Sequence, residues 1–286
     1  MWRAGRVASR FALYLAPMAT SFPTPMLSRL LSATAALSLV ALLAFRPAAP
    51  ATTKVYLIGD STMSIKAVKA YPETGWGMPF AAFFDETIAV ENRAQNGRST
   101  KTFIAEDRWQ PVAKELREGD YVFIQFGHND EVPTKRSYTP EAEFTTNLKR
   151  FVSETRSHRA QPVLLTPVAR RKFDDAGKIE ETHAAYAELV RTVARETNTP
   201  LIDLDRSSQA LLQQFGPETS KLLFNHLAPG EHPNYPDGRE DNTHFSELGA
   251  RRMAELVLAD MRALKLGLVE HLAQSAVKKT VDLQAR

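Results

Sequence analysis

Three residues of this 286-residue chain could together transfer an acyl group: a serine near the start and an aspartate and a histidine near the end. Ser61 follows the run 54–58, which is typical of a buried strand, just after Gly59 releases the backbone from the pleat. Asp241 and His244 stand three positions apart before a predicted helix, a spacing that puts both side chains on one face. A hydroxyl, a base and a carboxylate that orients the base are the groups required for acyl transfer through a serine.

Two further segments contribute hydrogen-bond donors. The segment 92–99 contains Gly97, where the missing side chain lets a backbone N–H approach a ligand closely. The segment 127–130 contains Asn129, which carries a side-chain amide. Donors of this kind stabilise the negative charge that develops on a carbonyl oxygen during acyl transfer.

A sheet must bring these segments to one edge. Apolar runs after helical patterns predict four strands beyond the first, at Thr87–Val90, Tyr121–Phe126, Val163–Val168 and Leu201–Leu204. Alternating strands and helices indicate βαβ units, and right-handed crossovers then produce a parallel sheet with helices on both faces. Ligands of such sheets bind outside the carboxyl ends of the strands. We therefore predict an α/β fold with a five-stranded parallel sheet and a site at that edge.

The helical patterns cover five stretches, which are Trp76–Phe84, Trp109–Leu116, Pro140–His158, Ile179–Thr197 and Ser246–Leu264. Thr139 before Pro140 and Ser246 before Glu247 read as helix starts. Between the last strand and the last helix, the segment 224–244 shows no periodicity and contains three prolines and two glycines. Loops of this length inside a compact domain are usually functional or disordered, and we interpret this one as ordered and functional.

The first 51 residues differ from the rest of the chain. They contain five arginines, no lysine and no acidic residue, and the run 30–45 is apolar apart from three hydroxyl residues. Read from Met26, a basic start, an apolar stretch and a small-residue site predict a secretory signal peptide cleaved after Ala51. The alternative is a transmembrane anchor, but the apolar run is shorter than the ~20 residues that a spanning helix needs. Met18 and Met26 are alternative starts.

Removing this segment changes the charge of the protein. The whole chain has 36 Lys and Arg against 33 Asp and Glu, and the removed segment takes five arginines and no acid with it. The remaining chain is therefore slightly acidic, and no nucleic-acid partner is indicated. It has no cysteine, which excludes disulfides and thiolate metal sites. We expect a secreted or periplasmic monomer, free of the membrane after cleavage, with one domain at 52–286 whose last part, 265–286, is a packed helix and tail.

The four chemical segments resemble, in their order, those of the SGNH (GDSL-type) hydrolase family, which run Ser, Gly, Asn and Asp-x-x-His. The match is narrower with the rhamnogalacturonan acetylesterases of carbohydrate esterase family 12. It rests on the segments 59–62, 96–99, 127–130, 229–238 and 241–245. One position departs from the pattern, because Asn96 stands where a second glycine is expected before Gly97. The resemblance implies a flavodoxin-like, three-layer α/β/α fold and the removal of acetyl groups from the backbone of pectin's hairy regions.

Chemistry and resemblance together suggest a role for each residue. We assign Ser61 as the nucleophile that forms an acetyl-enzyme, His244 as its base and Asp241 as the carboxylate that holds the tautomer of His244. The negatively charged carbonyl oxygen, or oxyanion, would accept hydrogen bonds from the N–H groups of Ser61 and Gly97 and from the side-chain amide of Asn129. No cofactor is required. We expect no metal, since the residues around His226 and His232 fit no short ligand motif.

Residues on the same rim are candidates to bind substrate, namely His128, Arg98, Arg170, Arg171, His232 and Tyr235. His128 could bind substrate or only pack and orient Asn129. A cationic collar suits a polyanionic substrate, although loops are commonly charged and the alternative is a solvated surface. The collar comprises Arg98, Lys101, Lys135, Arg136, Arg170, Arg171 and Lys172.

We therefore predict a serine esterase that removes O-acetyl groups from a plant cell-wall polysaccharide, rhamnogalacturonan first. One alternative is the same machinery acting on acetyl-xylan, another acetylated glycan or a lipid; a lipid substrate would require an exposed apolar patch near Ser61. A second alternative, from a different class, is a non-catalytic carbohydrate-binding relative.

Overall fold

The structure is a computed structural model that describes residues 52–273. The predicted signal peptide at 1–51 and the end of the tail at 274–286 lie outside the described residues. No helix of residues 52–273 is long and apolar enough to cross a membrane.

The core of the fold is a parallel sheet of five strands, as the sequence predicted, and the strand order is β2-β1-β3-β4-β5. The strands are β1 (Thr53–Gly59), β2 (Ile88–Asn92), β3 (Tyr121–Gln125), β4 (Gln161–Leu165) and β5 (Leu201–Ile202). Strand β1 lies between β2 and β3 and aligns Leu57 with Phe123 of β3 on one side and with Asn92 of β2 on the other. The carboxyl ends of β1, β2 and β3 therefore share one edge, where the segments after them meet.

Helices cover both faces of the sheet, because alternate residues of each buried strand point into different layers. On one side Val55 and Leu57 pack in a core with Trp76 and Phe80, and on the other Tyr56 and Ile58 pack in a second core. The seven α-helices of the described chain are α1 (Gly77–Phe80), α2 (Thr100–Ala105), α3 (Trp109–Glu115), α4 (Glu141–Ser157), α5 (Ala184–Glu196), α6 (Leu204–Thr219) and α7 (Glu247–Ala263).

Several element boundaries differ from the prediction. The first predicted helix ends as a 3₁₀ turn at Ala81–Phe83, and α4 begins at Glu141 with Pro140 as its N-cap residue. Ser246 caps α7 as expected, since its hydroxyl accepts a hydrogen bond from the Gly249 N–H at 3.1 Å. The helix predicted from Ile179 begins only at Ala184, because Ile179 forms a β-bridge with Phe173.

Segment 224–244, which the sequence presented as one long loop, instead contains two strands. β6 (Phe224–Leu227) and β7 (Arg239–Phe245) pair antiparallel, and a turn rich in proline and glycine joins them. The expectation of a loop was wrong because β7 consists almost entirely of polar residues and β6 is only four residues long, so neither shows an apolar stripe. β7 leads directly into Ser246 and α7, and it carries both Asp241 and His244.

The predicted terminal helix appears within the described residues as a short 3₁₀ helix at Gly267–His271. Leu268 is buried in it, and Leu266, Val269 and Leu272 pack against the same core.

Candidate active site

Ser61 begins a tight turn at the carboxyl end of β1. The adjacent Asp60 fixes this turn, because its Oδ1 accepts hydrogen bonds from both the N–H and the hydroxyl of Thr62, each at 2.9 Å. Asp60 is fully buried, and burial raises the pKa of its carboxyl against the lowering effect of these bonds. Asp60 therefore shapes the turn, and the half-buried Ser61 presents its hydroxyl at the sheet edge.

In the structure, the imidazole of His244 lies between Ser61 and Asp241 and contacts both. His244 Nε2 lies 2.9 Å from Ser61 Oγ, and His244 Nδ1 lies 2.9 Å from Asp241 Oδ2. Both distances are within hydrogen-bond range, so the imidazole can take a proton from the hydroxyl while the carboxylate holds its other nitrogen.

Asp241 receives four hydrogen-bond donors. Its Oδ1 accepts the backbone N–H groups of Thr243 and His244 at 2.8 and 2.9 Å, and its Oδ2 also accepts Arg239 at 2.9 Å. Burial opposes ionisation of this carboxyl, but His244 and Arg239 outweigh it and hold the pKa of Asp241 well below its usual range. Asp241 is thus a fixed anion facing His244.

Two arginines of the predicted collar hold β7 in place. Arg170 donates to Thr243 Oγ1 at 2.9 Å and pairs with Glu131 at 3.2 Å. Arg171 donates from its backbone N–H to the Asn242 carbonyl and from its guanidinium to Asn242 Oδ1, both at 2.8 Å. Their guanidinium groups are therefore engaged with the strand that carries Asp241 and His244.

The two predicted backbone donors face no acceptor inside the described part of the chain. Among residues 52–273, neither the Ser61 N–H nor the Gly97 N–H has a hydrogen-bond partner. Gly97 adopts a φ of 74°, in the left-handed region that favours glycine, and a Cβ added there would meet no atom within 4 Å. Gly97 is thus required for backbone direction rather than for space.

Asn129 lies beside the same loop. Its Nδ2 donates to the Arg98 carbonyl at 3.1 Å, which uses one of the two amide hydrogens and leaves a second for another acceptor. The bond ties Asn129 to the segment that contains Gly97. The three predicted oxyanion donors therefore belong to loops that follow β1, β2 and β3.

A buried cation that the sequence did not single out lies next to the serine turn. The Lys66 ammonium contacts the Ser61 carbonyl at 2.5 Å, Glu73 at 2.7 Å and Asn96 Oδ1 at 3.0 Å. One carboxylate oxygen of Glu73, one of Asp241 and one ring nitrogen of His244 all lie within 4.8 Å of one another. Lys66 and Glu73 thus belong to the surroundings of the reactive residues.

No local pattern singled out Lys66 and Glu73, because they lie in an irregular segment after β1 whose turns, and not a helical or strand period, bring them together. Arg239 was also missed, because segment 224–244 was predicted as a loop; on strand β7 Arg239 precedes Asp241 by two residues and therefore shares its face.

The remaining substrate-binding candidates occupy different places. His128 is 3% exposed and its ring lies 4.2 Å from that of His183, a position that fits packing beside Asn129 better than contact with substrate. His232 and Tyr235 lie in the turn between β6 and β7. The Tyr235 hydroxyl donates to the Ala70 carbonyl at 2.8 Å, which fixes this turn against the segment after Ser61.

Arg98 lies nearest to the predicted oxyanion loop. It pairs with Glu106 at 2.9 Å and donates to the Asn96 carbonyl at 2.8 Å. Together with Gly97, Thr102 and Arg136, it lines an open cleft of about 370 Å³. Gly97 of the predicted oxyanion loop therefore forms part of the wall of this cleft.

Lys101, Lys135 and Arg136 of the predicted collar are exposed, and Lys172 pairs with Glu180 at 2.6 Å. The histidines of the β6–β7 ribbon have separate partners: His226 contacts Asn242 at 2.9 Å, whereas His232 Nδ1 accepts the Asn234 N–H at 3.2 Å. Of the collar cations, Arg98 and Arg136 therefore line the cleft, whereas Arg170 and Arg171 bind β7.

Comparison with known proteins identifies the family of this chain. The GDSL-like lipase/acylhydrolase family matches residues 57–252. The chain is 43% identical over 228 residues to the rhamnogalacturonan acetylesterase RhgT of Bacillus subtilis (strain 168), an alignment that covers 80% of this chain and 97% of that protein. It is 35% identical over 222 residues to the "Probable rhamnogalacturonan acetylesterase YesY" of the same organism, covering 76% and 95% of the two chains.

Solved structures show the same architecture. The crystal structure of the Bacillus subtilis protein YxiM matches with a TM-score of 0.65 at 26% identity, over 76% of this chain and 58% of that one. A catalytic mutant of the acetylxylan esterase Axe2 from Geobacillus stearothermophilus matches with a TM-score of 0.54 at 20% identity, over 74% and 95%. These similarities confirm the predicted SGNH hydrolase fold, and the resemblance to rhamnogalacturonan acetylesterases is confirmed by the two Bacillus relatives. The chain belongs to the GDSL-like lipase/acylhydrolase family and is a carboxylic ester hydrolase.

Proposed function

We propose that this protein is a serine esterase that removes O-acetyl groups from rhamnogalacturonan through an acetyl-enzyme on Ser61. The observation that carries the proposal is the position of His244, which lies 2.9 Å from both Ser61 Oγ and Asp241 Oδ2. The named activity of RhgT, at 43% identity, supports the choice of substrate.

In the first half of the reaction, Ser61 Oγ attacks the acetyl carbonyl carbon while His244 Nε2 takes the hydroxyl proton. The carbonyl oxygen becomes an oxyanion, which the N–H groups of Ser61 and Gly97 and the Asn129 amide stabilise. Losing one such donor typically costs about 3 kcal/mol of barrier, or about 10²–10³ in rate. The bond to the sugar oxygen then breaks, and His244 returns the proton to that oxygen.

In the second half, a water molecule attacks the acetyl-enzyme and gives a proton to His244. The bond between Ser61 Oγ and the acetyl carbon breaks, Ser61 regains its proton and acetate leaves. Asp241 keeps the imidazole in one orientation throughout. This cycle needs no cofactor.

The cationic side chains near the cleft suit a polyanionic chain. Lys135 and Arg136 are exposed, and Arg136 lines the cleft beside Gly97. Because Arg170 and Arg171 hold β7, replacing them would disturb the strand as well as the charge. We therefore expect Lys135→Ala with Arg136→Ala to weaken the dependence of kcat/KM on salt for acetylated pectin fragments, with activity on a neutral small ester kept. Unchanged salt dependence would remove this part of the proposal.

Export is part of the proposal because the substrate is an extracellular polymer. The basic and apolar composition of the first 51 residues supports a signal peptide. N-terminal sequencing of the protein recovered from the medium or periplasm should begin after Ala51, and a mature protein that keeps this segment would contradict the prediction.

The substrate is tested by acetate release from acetylated rhamnogalacturonan, acetyl-xylan and p-nitrophenyl acetate, with Ser61→Ala and His244→Ala as matched variants. We expect release mainly from the pectic polymer and its loss in both variants. Activity on acetyl-xylan alone would replace the substrate, whereas activity surviving Ser61→Ala would overturn the mechanism.

A further inference from the structure

Lys66 is an unusual residue to find at this depth. Its side chain has no exposed surface, and its nitrogen contacts the Ser61 carbonyl, Glu73 and Asn96 at 2.5, 2.7 and 3.0 Å. An ammonium has three N–H donors, so three acceptors satisfy it completely. Burying a charge is costly unless it is paired and hydrogen-bonded, and Lys66 meets both conditions.

The contacts of Lys66 join two loops of the site. One is the turn that contains Ser61, which Lys66 holds by the carbonyl oxygen. The other is the loop that contains Gly97, held through the neighbouring Asn96. Asn96 Oδ1 also accepts the Ser64 hydroxyl at 2.5 Å. The two loops held by this ammonium supply two of the three proposed oxyanion donors.

The third contact of Lys66 concerns charge. Glu73 is 9% exposed, and one of its carboxylate oxygens lies within 4.8 Å of both an Asp241 carboxylate oxygen and a ring nitrogen of His244. Without Lys66, this carboxylate would lose its salt bridge and, among residues 52–273, would stand unpaired beside the imidazole. Burial lowers the pKa of Lys66, and the carboxylates of Glu73, Asp60 and Asp241 oppose that shift.

We propose that Lys66 is a positioning residue of this active site, which fixes the Ser61 turn against the Asn96–Gly97 loop and cancels the charge of Glu73 beside His244. The inference rests on the proposed mechanism and adds to it a residue that contacts none of the reacting atoms. The departure at Asn96 from the expected glycine then has a function, because the side chain of Asn96 is the acceptor for Lys66.

The test compares Lys66→Met, Glu73→Gln and the double variant, with exposed Lys69→Met as the control of equal charge change. In Lys66→Met, kcat for p-nitrophenyl acetate should fall by about 10- to 100-fold, with KM within about threefold, because two donors lose their fixed position. The acid limb of the pH profile of kcat/KM should move to higher pH by about one unit, because the unpaired carboxylate of Glu73 favours the protonated form of His244.

The pH readout separates charge from position. Besides Glu73, His244 interacts with Asp241, Asp60 and His128, and Arg239 and Arg170 reach it through Asp241 and Thr243. All of these stay unchanged in the variants. In the double variant the acid limb of kcat/KM should return to its wild-type position, because the carboxylate of Glu73 is gone. Its kcat should stay low, because no ammonium links the Ser61 carbonyl to Asn96.

A kcat within twofold of wild type in the double variant would overturn the anchoring role, and that variant carries the test if Lys66→Met fails to fold. An acid limb that does not move in folded Lys66→Met would overturn the charge role. Activity lost in Ser61→Ala but kept in both Lys66 variants overturns this inference alone, whereas activity kept in Ser61→Ala overturns the proposed function.

Discussion

Replacing Asp241 with Asn tests the orientation of His244 by changing a single atom. Asp241 Oδ1 accepts the backbone N–H groups of Thr243 and His244, and an amide oxygen can do the same, so the end of β7 should keep its shape. Asp241 Oδ2 instead faces two donors, His244 Nδ1 and Arg239, and the substitution places a third donor, an NH₂ group, between them.

The conflict between these donors predicts the size of the effect. To face an NH₂ group, His244 must present a lone pair at Nδ1 and carry its proton on Nε2. That nitrogen then cannot take the proton of Ser61, from which it is separated by 2.9 Å. A histidine held in the wrong tautomer costs about 10³- to 10⁴-fold in kcat, or about 4–5.5 kcal/mol of barrier.

The assay is p-nitrophenyl acetate hydrolysis at neutral pH by Asp241→Asn, with Glu240→Gln as the matched control. Glu240 is an exposed neighbour on β7 and undergoes the same change of charge. We expect Glu240→Gln to keep kcat within about twofold. A loss below tenfold in Asp241→Asn, with the fold intact, would refute the role given to the carboxylate.

The same variant should alter acid stability. The pKa of Asp241 is depressed in the folded protein, so the stability it contributes is present above its unfolded pKa of about 3.9 and is lost as pH falls. Asp241→Asn should therefore flatten the decline of Tm on the acid side. A decline as steep as in the wild type would contradict the ion pairing seen around this carboxyl.

Three further substitutions follow from the structure. Gly97→Ala meets no atom within 4 Å but must hold a φ of 74°, so we expect a loss of about 1 kcal/mol of stability by thermal unfolding and about tenfold lower kcat; an unchanged kcat would argue against an oxyanion role for this loop. Gly249→Ala places Cβ 1.7 Å from the Leu223 carbonyl oxygen, so Tm should fall by about 10 °C, and a fall under about 2 °C would contradict the packing of α7. Burial raises the pKa of Asp130 to about 7, so the stability that this carboxyl contributes is full below pH ~4 and is lost as pH rises through 7. Asp130→Asn should therefore flatten the dependence of Tm on pH between these two values. Parallel Tm curves for the variant and the wild type would contradict the raised pKa of Asp130.

The sequence predicted the sheet because three of its strands, β1, β3 and β4, contain short apolar runs that are buried on both faces. It also predicted that Ser61, Gly97 and Asn129 would meet, since each follows a parallel strand and such strands end at one edge. The ribbon of β6 and β7 escaped prediction because short strands of mixed polarity carry no alternating signal.

Helix α6 was missed for a different reason. Leu201–Leu204 was assigned to a strand, but the strand ends at Ile202 and Asp203 caps a helix that begins at Leu204. Leu204, Ser208 and Leu211 are buried with helical spacing, and the serine interrupts the apolar pattern that would have shown it. The short helix α2 was missed as well, because six residues are too few to display a period.

The site was predicted less completely than the fold, because its electrostatic partners are distant in sequence. Lys66 contacts Asn96 across thirty residues, and Arg170 contacts Thr243 across seventy-three. Such pairs depend on how the loops pack, which no local pattern encodes. Asp241 and His244 do contact each other as predicted, but they lie at the end of strand β7 and not on the helical spacing that the prediction used.

The central claim is that Ser61 carries the acetyl group during turnover. The most direct measurement is rapid acid quenching of the enzyme during p-nitrophenyl acetate hydrolysis, followed by mass spectrometry of the intact protein and of its peptides. We predict the mass gain of a single acetyl group, located on Ser61 and absent from Ser61→Ala. An acetyl group on another residue that turns over at the rate of hydrolysis, or full activity of Ser61→Ala, would contradict the account.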